Sequence, residues 1–263
     1  MKKLLLLTLI LALSSIFSSP AGNPSFPKAI EEGFFISSAS SISFRLGYEG
    51  NFVLNRRLKQ DVLNGKRVND FSQYLNSGLL TINILNRCDL FGSFGKAKIK
   101  TNWIFEETTN AFSYVDLETK YGDAWSSGVK IIFFEWGNTA LSAGGRYNYT
   151  KPKISWVSKN GETTPYSENH LKYKQWQADV GISHKMDMFI PYILAKYSKA
   201  DVNLRTPSVI INPENTDKMK MKSKNNYGMA LGCALVAQKY FMLNLEVRLI
   251  DEEAFTVIGD FRF

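Results

Sequence analysis

The run Ser41 to Asn55, SISFRLGYEGNFVLN, alternates apolar and polar residues for longer than a strand of a water-soluble sheet needs. Ile42, Phe44, Leu46, Tyr48, Phe52 and Leu54 share one parity, broken by Gly50. Ser41, Ser43, Arg45, Gly47, Glu49, Asn51 and Asn55 share the other, with Val53 as its one apolar member. Period two sustained over that length specifies a strand with one apolar and one wet face, and excludes an amphipathic helix. Soluble strands run to about five or six residues, whereas crossing a bilayer at a tilt takes about nine to eleven. The apolar face is therefore read as a lipid face.

The start of the chain agrees. Lys2 and Lys3 precede an apolar run from Leu4 to Leu13, interrupted by Thr8 and followed by small and polar residues to Gly22, the pattern of a secretory signal peptide cleaved between Ser18 and Ala21. Its apolar core is half the length of a spanning helix, and no second candidate helix follows. Aromatics make up 13% of the chain, and the mean hydropathy of −0.17 is too polar for a helical membrane protein. A barrel hides its membrane signal by alternation. Without Lys2 and Lys3 the formal charge falls from +8 to +6, spread along the chain, so nucleic acid is not an expected partner. Two cysteines, Cys88 and Cys233, are too few for a disulfide framework. The predicted organisation is a signal peptide over residues 1–20, an irregular lead-in over 21–40 and a single transmembrane antiparallel β-barrel over 41–263.

Further alternations follow in order. Leu80, Ile82 and Ile84 face out in the second strand; Phe91, Ala97 and Ile99 are assigned outward in the third, which sends Lys96, Lys98 and Lys100 inward. Trp125, Val129, Ile131 and Phe133, then Leu141, Ala143, Tyr147 and Tyr149, form a hairpin around WGN. Trp176 to Ile182, Phe189 to Tyr197, Tyr227 to Leu235, Phe241 to Leu249 and Phe255 to Phe263 complete the set. Residues 102–122 read as a loop, with a hidden hairpin around Phe112, Tyr114 and Leu117 as the alternative. Short turns near residues 86, 137, 185 and 238 interleave with mostly long connections near 60, 110, 160, 212 and 251. Short periplasmic turns and long outer loops are the barrel pattern, giving about ten strands, or twelve if the hidden hairpin joins the wall. Trp103, Trp125, Trp156, Tyr147, Tyr149 and Phe263 lie near strand ends, as girdle aromatics do.

The chain also resembles a known family. FRLGYEGNFVLNRRLK, LNRCDLFGSFG, WSSGVKIIFFEWGNTALSAGGRYNYTKPK, QWQADVGISHKMDMFIPYILAKYS and EVRLIDEEAFTVIGDFRF, in that order, are similar to the chlamydial major outer membrane proteins, which are porins. The terminal Phe263 likewise resembles the assembly signal of bacterial outer-membrane barrels. The chain is shorter than the family and lacks its many cysteines. The resemblance implies a bacterial outer-membrane channel for passive diffusion, with outer-membrane lipid, ions and small solutes as partners, homo-oligomerisation open and no cofactor.

Thirteen charged residues are expected to line the pore: Arg45, Glu49, Lys96, Lys98, Lys100, Lys130, Arg146, Asp179, Lys196, Glu246, Arg248, Asp260 and Arg262. Nine are basic and four acidic, a net of +5 that predicts weak anion selectivity. The alternative is a blocked barrel with a structural or adhesive role. No catalytic residue and no metal site are proposed: His170 and His184 stand in a loop and a turn without ligand-spaced partners. Asp251, Glu252 and Glu253 read as a solvated turn, and Cys88 as a turn thiol, either free or oxidised with another envelope protein.

Overall fold

A computed structural model describes residues 42–60, 67–108, 111–165, 169–204, 219–237 and 240–263. The expected signal peptide and lead-in fall outside these. Among the described residues there are fifteen strands: β1 Ile42–Arg56, β2 Leu58–Gln60, β3 Arg67–Ile84, β4 Cys88–Thr108, β5 Ala111–Thr119, β6 Gly122–Trp136, β7 Thr139–Thr150, β8 Ile154–Lys159, β9 Glu162–Pro165, β10 Leu171–His184, β11 Phe189–Leu204, β12 Met219–Ser223, β13 Tyr227–Ala237, β14 Phe241–Leu249 and β15 Glu252–Arg262.

Ten of them close a ring, each antiparallel to the next: β1, β3, β4, β6, β7, β10, β11, β13, β14, β15 and back to β1. Closure runs from Arg45 opposite Arg262 to Arg56 opposite Glu252, and the Phe263 amide donates to the Phe44 carbonyl at 2.9 Å. With no edge left in the ring, its backbone donors and acceptors are paired within the wall, which hydrocarbon demands. The tight turns at 85–87 and 137–138 lie at the end that carries Ile42 and Phe263, which is therefore the periplasmic end.

The faces follow the sequence where the wall meets lipid. Ile42, Phe44, Leu46, Tyr48, Leu54, Leu80, Leu90, Ile131, Val180, Ile193, Leu231, Val247 and Phe261 are exposed on the outer face. Trp125 packs its ring 5.4 Å from Tyr147 and 5.7 Å from Tyr149, and Trp176 lies 5.1 Å from Tyr197, which lies 5.2 Å from Tyr227. These rings form an aromatic girdle at the outer rim of the lipid face.

Several strands are longer than a bilayer crossing requires: β3 has 18 residues and β4 has 21. Their surplus rises above the girdle and is extended by the extra strands. The upper part of β4 pairs with β5, β5 with β8 and β8 with β9; β11 pairs with β12, and β12 with β2. The expected loop over 102–122 therefore contains a strand, but it builds the outer extension and not the ring, so the wall has ten strands and not twelve.

In this extension the polarity of the wall inverts. Phe71, Ile99, Trp103, Val115, Leu117, Ile154, Leu171, Val202, Leu204 and Met221 point inward into one apolar core, and Phe71 stacks on Tyr173 with centroids 5.4 Å apart. This corrects the sequence assignment of β4. Ala97 and Ile99 are fully buried and Phe91 packs inward against Leu79 and Ile258, while Lys96, Lys98 and Lys100 take the outer face. For Ala97 and Ile99 the cause is that apolar residues face out only where lipid lies outside, and above it the outside is water; Phe91 lies lower in the wall, where Leu90 and Phe94 hold the outer parity. Trp103, expected in the girdle, is an inner-core residue for the same reason as Ile99.

Two outcomes test this architecture. Deleting Glu252 to Phe263 removes the closing strand, so the protein should lose its heat-modifiable band on gels; a truncated chain that still shows the band would place closure elsewhere. Leu46→Arg puts a charge on the lipid face and should cost about 2 to 4 kcal/mol in folding, read by denaturant titration in lipid vesicles, with no loss as the contrary result.

Candidate functional site

The inward face of the ring is the candidate site. Alternation on ten strands delivers polar side chains to one narrow axis, where 14 charged residues are buried among the described ones. Seven are basic (Arg45, Arg56, Lys130, Arg146, Lys196, Arg248 and Arg262) and seven acidic (Glu49, Asp89, Asp179, Glu246, Asp251, Glu252 and Asp260). Ten of the thirteen residues read from sequence are among them.

The other three are not. Lys96 bonds Asp123 at 2.6 Å, and Lys98 and Lys100 meet Glu118 at 2.5 and 2.8 Å, all on the outer face. Burial would push the Glu118 carboxyl up, but hydrogen bonds from Lys100 and Lys98 hold it below its usual range. The four residues that sequence reasoning missed each have a local cause. A register shift between Val53 and Asn55 turns Arg56 inward, Asp89 opens β4 in the corrected parity, and Asp251 and Glu252 are buried and not a solvated turn. The parity break in LNRRLK was the one available signal for Arg56.

Ion pairs join most of these charges inside the bore. On the periplasmic side Arg45 bonds Asp89, which also accepts from Asn83 at 2.6 Å. Arg146 grips Glu49 with both guanidinium ends, at 2.6 and 2.5 Å, and adds Ser93 at 3.1 Å; this fork geometry is the strong form of the contact. Lys130 lies 3.5 Å from Asp179. Toward the outer side Glu252 gathers three cations, Arg56 at 2.7 Å, Lys196 at 2.6 Å and Arg248 at 2.8 Å. Lys196 also reaches Asp251 at 3.1 Å, and Arg248 continues to Asn51 and Thr256 at 2.7 and 2.6 Å. Tyr192 donates toward Asn244 and Glu246 at 2.9 and 3.1 Å.

Glycines make room for this ladder. A Cβ on Gly47 would stand 2.1 Å from Asp260 Oδ1 and 2.7 Å from the Gly259 carbonyl, and one on Gly228 would stand 2.0 Å from Asp251 Oδ1. Apolar layers bound the ladder at each end. Ile132, Ala140, Ile190, Ala234 and Met242 cluster toward the periplasm, and the extension core lies toward the outside. Within the ladder a cavity of about 30 Å³ is lined by Arg45, Glu49, Asp89, Lys130, Arg146 and Asp260, room for one or two waters. His184 bonds Thr139 at 2.8 Å at the periplasmic end and His170 bridges to Lys153, so neither joins the ladder. Cys88 and Cys233 are both free.

A family described as Chlamydia major outer membrane protein matches residues 158–216 and 210–263. The major outer membrane porin of Chlamydia trachomatis serovar F is 26% identical over 395 aligned positions covering all of both chains, and that of serovar E 24% over 394. Over its whole length the chain is similar to the chlamydial major outer membrane porins. The serovar alignments are longer than this chain's 263 residues, so these relatives carry insertions that it lacks. An outer membrane channel from Pseudomonas putida F1 overlays with a TM-score of 0.44 at 9% identity, covering 94% of this chain and all of that one, too distant to add weight. Family and closed wall together make this an outer-membrane β-barrel.

Removing one partner of a buried pair leaves the other charge stranded, at a cost of about 3 to 5 kcal/mol. Glu49→Gln should therefore destabilise the refolded barrel by that amount, while Glu49→Leu combined with Arg146→Met should cost less than Glu49→Gln alone. Denaturant titration of both variants checks this, and an equal or larger loss in the double variant would mean that the pair itself holds the wall.

Proposed function

We propose that this protein is a porin-type barrel which passes ions and small hydrophilic solutes without a charge preference, along a path shut by two apolar layers in the folded state described above. The ladder of 14 buried charges carries this reading. A barrel built only to be sealed would be filled as well or better by apolar side chains, because buried ion pairs seldom outperform a hydrophobic filling. An ionic bore suits a path that wets. Hydrophobic constrictions gate such paths by expelling water, and the layers around Ile190 and Phe71 have that character. The relatives named as porins lend support to the same reading.

The expected anion preference is dropped. With Lys96, Lys98 and Lys100 on the outer face and Arg56, Asp89, Asp251 and Glu252 added inside, seven positive charges meet seven negative ones. A second reading, a sealed barrel with a structural role, is favoured by the small cavity and by the two apolar layers.

Planar-bilayer recording separates them. Wild-type protein should give small, infrequent conductance steps with a reversal potential near zero across a KCl gradient, and Ile190→Ser with Met242→Ser should raise the open fraction severalfold by wetting the inner layer. A pronounced anion or cation preference would contradict the balanced bore. No conductance in either protein would leave the sealed barrel.

A further inference from the structure

The outer faces of β10, β11, β12 and β2, just above the aromatic girdle, carry an excess of cations that the bore does not use. Pairing aligns Lys174, Asp201, Lys222 and Lys59 in one row across the four strands. Lys172, Asn203 and Lys220 form the next row outward. Lys199 stands opposite Trp176, and Lys224 and Arg57 are joined by a backbone hydrogen bond of 2.9 Å. On this face eight basic residues stand against one carboxylate, Asp201, among the described residues.

The opposite flank is built differently. There Lys96, Lys98 and Lys100 each meet a carboxylate, from Asp123 or Glu118. Those three lysines are matched by two carboxylates, a different balance from the eight-to-one face.

Its height on the wall names the partner. Lys174 lies one outward-facing position beyond Trp176 on β10 and opposite Tyr149, and the Lys172 ammonium sits 5.7 Å from the Tyr149 ring centroid. Girdle aromatics lie at headgroup level, so the basic rows begin where the phosphates of an outer leaflet stand. A groove of about 790 Å³ opens beside them, lined by Arg57, Lys59, Lys224, Asn55, Gln60 and Asn69 together with the core residues Leu58 and Val68. Asn55 Oδ1 and Gln60 Oε1 are buried acceptors without a hydrogen-bond partner. The cations suit phosphate, and the acceptors suit the hydroxyls of a sugar.

We infer that this flank binds the headgroup of a phosphorylated glycolipid in the outer leaflet, with the groove holding its sugar. The inference rests on the outer-membrane location and is independent of whether the bore conducts. Each basic residue near a charged headgroup contributes roughly a fivefold factor in binding, weakened by salt.

The test uses the refolded full chain in detergent, with bisphosphorylated lipid A and its dephosphorylated form as probes and native mass spectrometry as the readout. Wild-type protein should retain the phosphorylated form preferentially. Arg57→Gln, Lys59→Gln and Lys224→Gln combined should lower retention at least tenfold and erase the preference, with the heat-modifiable band intact. The flank control, Lys96→Gln with Lys98→Gln and Lys100→Gln, should stay within twofold of wild type. Equal retention by wild type and the basic-flank variant, or equal retention of both lipid forms, would overturn the proposal. Capture of heparin without capture of lipid A would overturn it in favour of an acidic glycan.

Discussion

Everything in this fold depends on a wall with no open edge. Inside hydrocarbon an unpaired amide or carbonyl has no water to turn to, so β1 must find β15, and the ring must close. Closure with ten strands leaves a bore only slightly wider than that of an eight-strand barrel, which side chains fill. The residues facing that bore are mostly polar, on the parity opposite to the lipid face, with apolar clusters such as that around Ile190 among them. A narrow axis disfavours a large excess of either sign, and seven cations meet seven anions there.

The same constraint explains which parts were legible in the sequence. Where lipid lies outside and a polar bore inside, alternation gives the face directly, and β7, β10, β14 and β1 as far as Val53 read correctly from their residues alone. Above the girdle both neighbours change. Water replaces lipid outside and an apolar core replaces the charged bore, so Ala97, Ile99 and Trp103 turn inward while Lys96, Lys98 and Lys100 turn out. Parity in β4 survives, but its meaning reverses, and no single strand announces where that happens. Register shifts are a second source of error: the shift after Val53 moves Arg56 to the interior. Asp251 and Glu252 were misread because an acidic turn between short strands has the composition of a solvated loop; their burial depends on Lys196 and Arg56, which are remote in sequence.

Pairing in the bore is also a matter of volume. A carboxylate reaching the axis needs the neighbouring strand to lack a Cβ, and Gly47, Gly144 and Gly228 each face such a group: Asp260, Asp179 and Asp251. The glycines therefore act as complements of particular acids, a relation invisible to alternation because a glycine counts as neither polar nor apolar. Substituting at these positions attacks folding as well as the bore, since the added carbon meets the carboxylate, or in Gly47 also the carbonyl of the adjoining strand.

The apolar layers at the two ends of the ladder follow from the charges between them. Ion pairs gain from the exclusion of water, since each contact strengthens as the effective dielectric falls, so layers that keep water out reinforce the pairing. Glu252 shows the consequence: three cations converge on one carboxylate within 2.8 Å, and Asp251 beside it balances Lys196. In the gating proposed above, water entering the axis would solvate the same residues individually, weaken the contacts and free side chains that close the axis to line it. Wetting and unpairing would then be one event, with its threshold set by the two apolar layers.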